Sequence, residues 1–189
     1  HLDDLKLVKD EIAAYLEEEE DYLLRNLYYA CKSLIALNTA KNIEEAQQFA
    51  KKIWDRLEKF DRWYLLDIRL INTILFIFPI DVAVNIGERA TKQLIPYYNL
   101  KEAEVLLINL DINLSVLLID DKKYPEALSY LEKVISLCKK YQKYNQLAIA
   151  YSRKGLILQK TGKNDEGSEY IEKAYAILNA IEDTKLIGE

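Results

Sequence analysis

One stretch of the chain repeats itself 40 residues later without a gap. Asn113–Leu137 (NLSVLLIDDKKYPEALSYLEKVISL) aligns with Arg153–Ile177 (RKGLILQKTGKNDEGSEYIEKAYAI). Tyr130, Glu132 and Lys133 return as Tyr170, Glu172 and Lys173. Leu117 pairs with Ile157, Leu131 with Ile171 and Leu137 with Ile177. Ser115 answers to Gly155, and Ala127 to Gly167. A repeat of this length marks a supersecondary unit that cannot bury its apolar face alone and so stacks on its neighbours. The pattern suits paired helices. A small residue midway along the first helix and another early in the second let the two axes approach closely, and aliphatic and aromatic residues fill the groove.

These segments resemble the tetratricopeptide repeat. The stretch Asp121-Lys122-Lys123-Tyr124-Pro125-Glu126-Ala127 reads as the turn into the second helix. Pro125 suits a first helical turn, where its missing N–H costs nothing. The 40-residue spacing exceeds the usual 34 of that family, which implies longer helices. Weaker copies precede: Asn42-Ile43-Glu44-Glu45-Ala46, with Asn42 as N-cap and Glu45 as its capping-box partner, and Pro79-Ile80-Asp81-Val82-Ala83. The expected helices run over 3–17, 21–38, 42–59, 62–78, 80–95, 100–119, 124–142, 144–161 and 164–181. Their connections are too short to separate globular domains. The expected fold is all-α: one domain over 1–189, a right-handed superhelix of about nine helices.

Composition agrees. Only 5 Gly and 3 Pro interrupt 189 residues, of which 50% are hydrophobic and 30% charged. Trp63–Ile80 is the most apolar stretch, but Asp67, Arg69 and Pro79 make it a buried helix and not a membrane span. His1–Asp10 alternates charges and does not read as a signal peptide. Met is absent, so His1 does not read as a translation start. The net charge of −5 argues against a nucleic-acid grip by this region itself. Cys31 and Cys138 lie far apart without metal-ligand spacing and read as small buried hydrophobes. The single His, the lack of a Gly-rich phosphate loop and the lack of a nucleophile elbow give no catalytic residues, no metal site and no cofactor. The run Glu17-Glu18-Glu19-Glu20-Asp21 reads as a solvated helix end. The 14 Tyr residues read mostly as packing groups with surface hydroxyls.

In tetratricopeptide domains the first helix of each pair lines the inner groove. Two residues before the packing positions Ser115 and Gly155 stand Asn113 and Arg153. The resemblance implies a clamp on an extended peptide at that place. An Asn amide both donates and accepts, and the Arg fork suits a carboxylate. Asn109 lies one turn from Asn113. Val116 and its mate Leu156 supply an apolar floor. In the preceding pair Arg69, Asn72 and Phe76 share a face at i, i+3 and i+7. These eight residues form the expected peptide-binding series.

The segment Trp63-Tyr64-Leu65-Leu66-Asp67-Ile68-Arg69-Leu70-Ile71-Asn72-Thr73-Ile74-Leu75, followed by Pro79 and the Asn113 repeat, resembles the C-terminal region of Rgg/GadR/MutR-type transcriptional regulators, over about Asp21 to Thr184. That resemblance implies a cytoplasmic, non-enzymatic regulator from a Gram-positive bacterium, working as a homodimer and sensing a short pheromone peptide in quorum sensing. DNA would be reached only through an N-terminal helix-turn-helix domain that this chain lacks. A different reading is a scaffold module that binds a protein partner or a protein C-terminus. Ile112, Val116 and Leu156 dilute any carboxylate clamp and favour the apolar peptide. An enzyme, such as a sensor phosphatase, would need a polar pocket with placed acids, and none is legible.

Overall fold

The computed structural model describes residues 2–39 and 42–182. His1, Ala40 and Lys41 of the connection expected between the second and third helices, and the end of the family resemblance at Thr184 fall outside the described residues. Among the described residues there are nine α-helices and no strand: α1 Leu2–Glu18, α2 Tyr22–Thr39, α3 Ile43–Leu57, α4 Leu65–Ile74, α5 Ile80–Gln93, α6 Lys101–Asp120, α7 Tyr124–Tyr141, α8 Tyr144–Lys160 and α9 Asn164–Ala180. Short 3-10 turns occupy Leu75–Ile77 and Ile95–Tyr97. The all-α expectation holds. The chain divides into two compact units, His1–Tyr97 and Tyr98–Glu189.

In the first unit α2 packs on α1 and α3, and α4 on α5. Ser33 of α2 is fully buried, and its hydroxyl donates to the Ala46 carbonyl at 2.5 Å. A small residue on each partner again lets two helices touch backbone to side chain. The expected cap of α3 is present: the Glu45 N–H donates to Asn42 Oδ1 at 3.1 Å. The return contact differs from a capping box, because Asn42 Nδ2 donates to Glu45 Oε2 at 3.4 Å.

The helix expected over 62–78 is a correction. Only Leu65–Ile74 is α-helical. At its start Trp63 is fully buried, with the indole N–H donating to the Leu57 carbonyl at 2.8 Å and its ring perpendicular to that of Trp54, centroids 5.9 Å apart. The Arg89 guanidinium lies over the Trp63 ring and donates to the Glu58 and Phe60 carbonyls, both at 2.9 Å. Those bonds hold residues 58–64 as a tucked loop. Tyr64 is extended, and its N–H donates to the buried Asp67 carboxylate at 3.0 Å, which begins α4. At the far end Pro79 excludes helical backbone from Phe78, whose ψ is 153°. The preceding turn tightens to 3-10 form.

The second unit contains the repeat, which holds at the level of single backbone bonds. The Lys123 N–H donates to the Leu118 carbonyl at 2.8 Å, and the Lys163 N–H to the Leu158 carbonyl at 2.9 Å. Lys122 (φ 59°) and Gly162 (φ 86°) take the same left-handed turn, which only the glycine adopts without steric cost. The packing positions are those the sequence indicates. Ser115, Gly155, Ala127 and Gly167 are all buried. A methyl at Gly155 would stand 2.7 Å from the Gly167 carbonyl oxygen, and a methyl at Gly167 would stand 2.8 Å from the Gly155 oxygen. The α8–α9 pair therefore depends on two missing side chains.

Gly155→Ala is expected to lower stability by about 2 kcal/mol, the scale of overpacking a tight core, read from the urea midpoint. An unchanged midpoint would show that the two helices move apart without cost.

Candidate functional site

Among the described residues no group of His, Cys, Asp and Glu could hold a metal ion. Burial pushes the Cys138 thiol up to about 11 and raises that of Cys31, so neither presents a thiolate at neutral pH. No described helix is long and apolar enough to cross a membrane.

The eight expected peptide-binding residues fall in both units. On α4, Arg69 is exposed and Asn72 half-buried. Phe76 is 45% exposed but lies in the 3-10 turn after α4, so the i, i+3, i+7 relation of a continuous helix does not place it. In the second unit Asn109, Asn113 and Val116 stand half-buried along one side of α6, at i, i+4 and i+7. Their repeat mates Ile149, Arg153 and Leu156 lie likewise on α8, where Leu156 is 41% exposed.

Arg153 and Leu156 come together in a hollow of about 390 Å³ between α8 and α9. Ser152 closes one wall, and Ile171, Ala174 and Tyr175 of α9 form the other. The sequence reading missed the α9 contribution. Its signal was available, since Ile171, Ala174 and Tyr175 answer to apolar Leu131, Val134 and Ile135 in the preceding copy.

A second cavity of about 880 Å³ lies in the first unit, where α2 begins and the loop after α3 passes. There the Arg56 guanidinium sits between the Tyr22 and Phe60 rings, at 5.4 and 5.5 Å, and donates to the Tyr22 carbonyl at 2.6 Å. None of the expected site residues lines it.

A buried charge was also missed. Asp111 of α6 is fully buried, and Lys133 of α7 approaches its carboxylate at 2.8 Å. Burial raises the Asp111 pKa, and the hydrogen bond and charge of Lys133 pull it partly back. The pair ties the first helix of the repeat to the second. Nothing in the hydrophobic pattern marks Asp111, because charge at a buried helix position violates that pattern.

The profile of the C-terminal domain of the HTH-type transcriptional regulator Rgg matches residues 5–188. The chain belongs to the Rgg C-terminal domain family. No curated protein matches it. Among solved structures it is similar to a candidate transcriptional regulator from Listeria monocytogenes EGD-e, with a TM-score of 0.79 at 20% identity, covering 98% of this chain and 64% of that one. It is also similar to Bacillus thuringiensis PlcR, solved in complex with the peptide PapR7 and DNA, with a TM-score of 0.64 at 19% identity, covering 96% of this chain and 66% of that one. The Rgg-type chain therefore spans about two thirds of either protein's length, and at these identities the likeness is one of fold.

The Asp111–Lys133 pair yields a pH-dependent expectation. Lys133→Ala leaves a buried carboxylate without its cation. The cost at pH 7 is about 2 kcal/mol, below the range for fully buried pairs because Lys133 is half in water. A carboxyl with a raised folded pKa destabilises the fold while charged, above its unfolded pKa. The loss should therefore shrink as pH falls toward 4. Urea melts of parent and variant at both pH values check this, and an equal loss at both would remove the charge argument.

Proposed function

We propose that this chain is the sensing region of a Gram-positive, cytoplasmic transcriptional regulator. It takes up a short apolar signalling peptide, acts as a homodimer and carries no enzymatic activity. DNA contact belongs to an N-terminal helix-turn-helix domain outside this sequence. The observation that carries the reading is the family match over residues 5–188. The likeness to PlcR, whose structure holds a peptide and DNA, supports it.

The side-chain chemistry agrees with that reading. In the second unit Asn109 and Asn113 on α6 offer amides that both donate and accept, as an extended peptide backbone requires, and in the first unit Asn72 on α4 offers the same chemistry. Arg69 and Arg153 add carboxylate-matched forks, while Phe76, Val116 and Leu156 supply apolar surface. A peptide touching several helices at once binds one arrangement of them better than another and shifts the population toward it. In a dimer, that shift would change the spacing of two DNA-binding heads, which must match two half-sites.

Synthetic short apolar peptides titrated calorimetrically against the parent chain and against Asn72→Ala and Asn113→Ala test the series. Each loss of a buried amide partner costs about 1–2 kcal/mol, roughly ten-fold in Kd. Affinity equal to the parent's in both variants would take these amides out of the site. Sedimentation of the parent chain tests the homodimer.

A further inference from the structure

The repeat offers a comparison within the molecule. Shifted back by 40 residues, the hollow between α8 and α9 falls on a face of the α6–α7 pair. There, Ile108, Ile112, Leu131 and Val134 stand at the positions of Ala148, Ser152, Ile171 and Ala174. All four are buried, and α8 packs against both α7 and α6. The corresponding face of α8–α9 is open, with Leu156 41% and Tyr175 49% exposed.

The two faces differ in one consistent way. Ile108, Ile112 and Val134 are replaced by the smaller Ala148, Ser152 and Ala174. The earlier face is closed by α8 packing on it, whereas the later face leaves a hollow of about 390 Å³ to which the smaller side chains add room. The later face thus has room for an occupant's bulky side chain. Charge differs as well. Asn113 becomes Arg153, which carries the only charge among the described residues lining the hollow. A guanidinium beside an apolar cavity selects a carboxylate joined to a greasy side chain.

We propose that the α8–α9 hollow seats one end of the signalling peptide, with a bulky apolar side chain inserted between Ser152, Ala174 and Tyr175 and a carboxylate on Arg153. The inference rests on the peptide-sensing reading and adds to it the chemistry of the ligand's end. The floor is the Ile171 and Ala174 surface of α9, the rim is Leu156 and Tyr175, and the fork lies one turn before Leu156 on α8. A leucine- or phenylalanine-sized group fits the space, and removing it from water supplies the attraction. Arg153 fixes the direction in which the peptide lies.

The test uses the full chain and three fluorescein-labelled probes: the peptide Gly-Ser-Leu-Ile-Phe with a free C-terminal carboxylate, its C-terminal amide, and the amide with Glu inserted before Phe. Fluorescence anisotropy is read for the parent, for Arg153→Gln and for the double variant Ser152→Ile with Ala174→Val. The double variant restores side chains that the α6–α7 pair already accommodates at these positions, and its thermal melt verifies the fold. The expected result is that the free acid binds the parent and the filled variant binds about ten-fold more weakly. Arg153→Gln brings the acid down to the amide. Recovery by the Glu-containing amide would assign the carboxylate to a side chain as well as to the terminus.

Failure of all three probes to bind the parent, or equal binding by parent and filled variant, overturns the proposal. So does sedimentation showing that filling the hollow converts a dimer to a monomer, since the occupant would then be a second copy. If Asn72→Ala and Asn113→Ala weaken peptide binding while the filled variant does not, this hollow is wrong and the sensor reading stands. The opposite pattern supports the hollow and removes the amide series.

Discussion

The second unit depends on two helices coming within backbone contact at Gly155 and Gly167. Every larger residue there would meet a carbonyl oxygen at under 3 Å. The same device recurs as Ser115 with Ala127, and in the first unit as Ser33 with Ala46. Close approach leaves little room between a helix and its partner, so the bulky side chains are displaced to either side of the seam. On α6–α7 the face that carries Ile108, Ile112 and Val134 is buried where α8 packs on the pair. The matching face of α8–α9 is open and carries Arg153, Leu156 and Tyr175.

The two copies of the repeat show how an identical backbone acquires different surfaces. Turn, caps and register coincide from Leu118 to Lys123 and from Leu158 to Lys163. The side chains at equal positions differ in size and charge: isoleucine against alanine or serine, asparagine against arginine. The earlier face is filled by α8, and the later one keeps a hollow lined by the smaller side chains. The buried Asp111 with Lys133 belongs to the earlier copy alone, because its mate is Tyr151, which stacks at a tilt with Tyr170 at 5.6 Å. A charge pair and an aromatic pair thus bridge equivalent helices by different physics.

The first unit is less regular because its loops are held by long side chains and not by helix-pair contacts. Arg89 reaches two carbonyls of the 58–60 turn while covering Trp63, and Gln93 accepts from the Trp63 N–H and donates to the Asp61 carbonyl. These bonds satisfy backbone groups that a continuous helix would have paired internally. They explain why the 62–78 stretch, helical by its apolar content, yields ten residues of helix between a tucked loop and a 3-10 turn.

What the sequence determined alone is whatever is local or periodic. The repeat fixed the helix pairs α6–α7 and α8–α9, and the small residues fixed their seams. Asn42 marked the start of α3, and the Rgg-type pattern from Trp63 to Leu75 carried the family. Those signals need only the 3.6-residue period, steric size and neighbouring caps. Tertiary structure decided the rest. It turned the expected helix start at 62–64 into a tucked loop, buried Asp111 against Lys133, and joined α9 residues to Arg153 and Leu156 in one hollow. Each of these depends on groups brought together from different helices or on competition between backbone partners, and a one-dimensional pattern encodes neither.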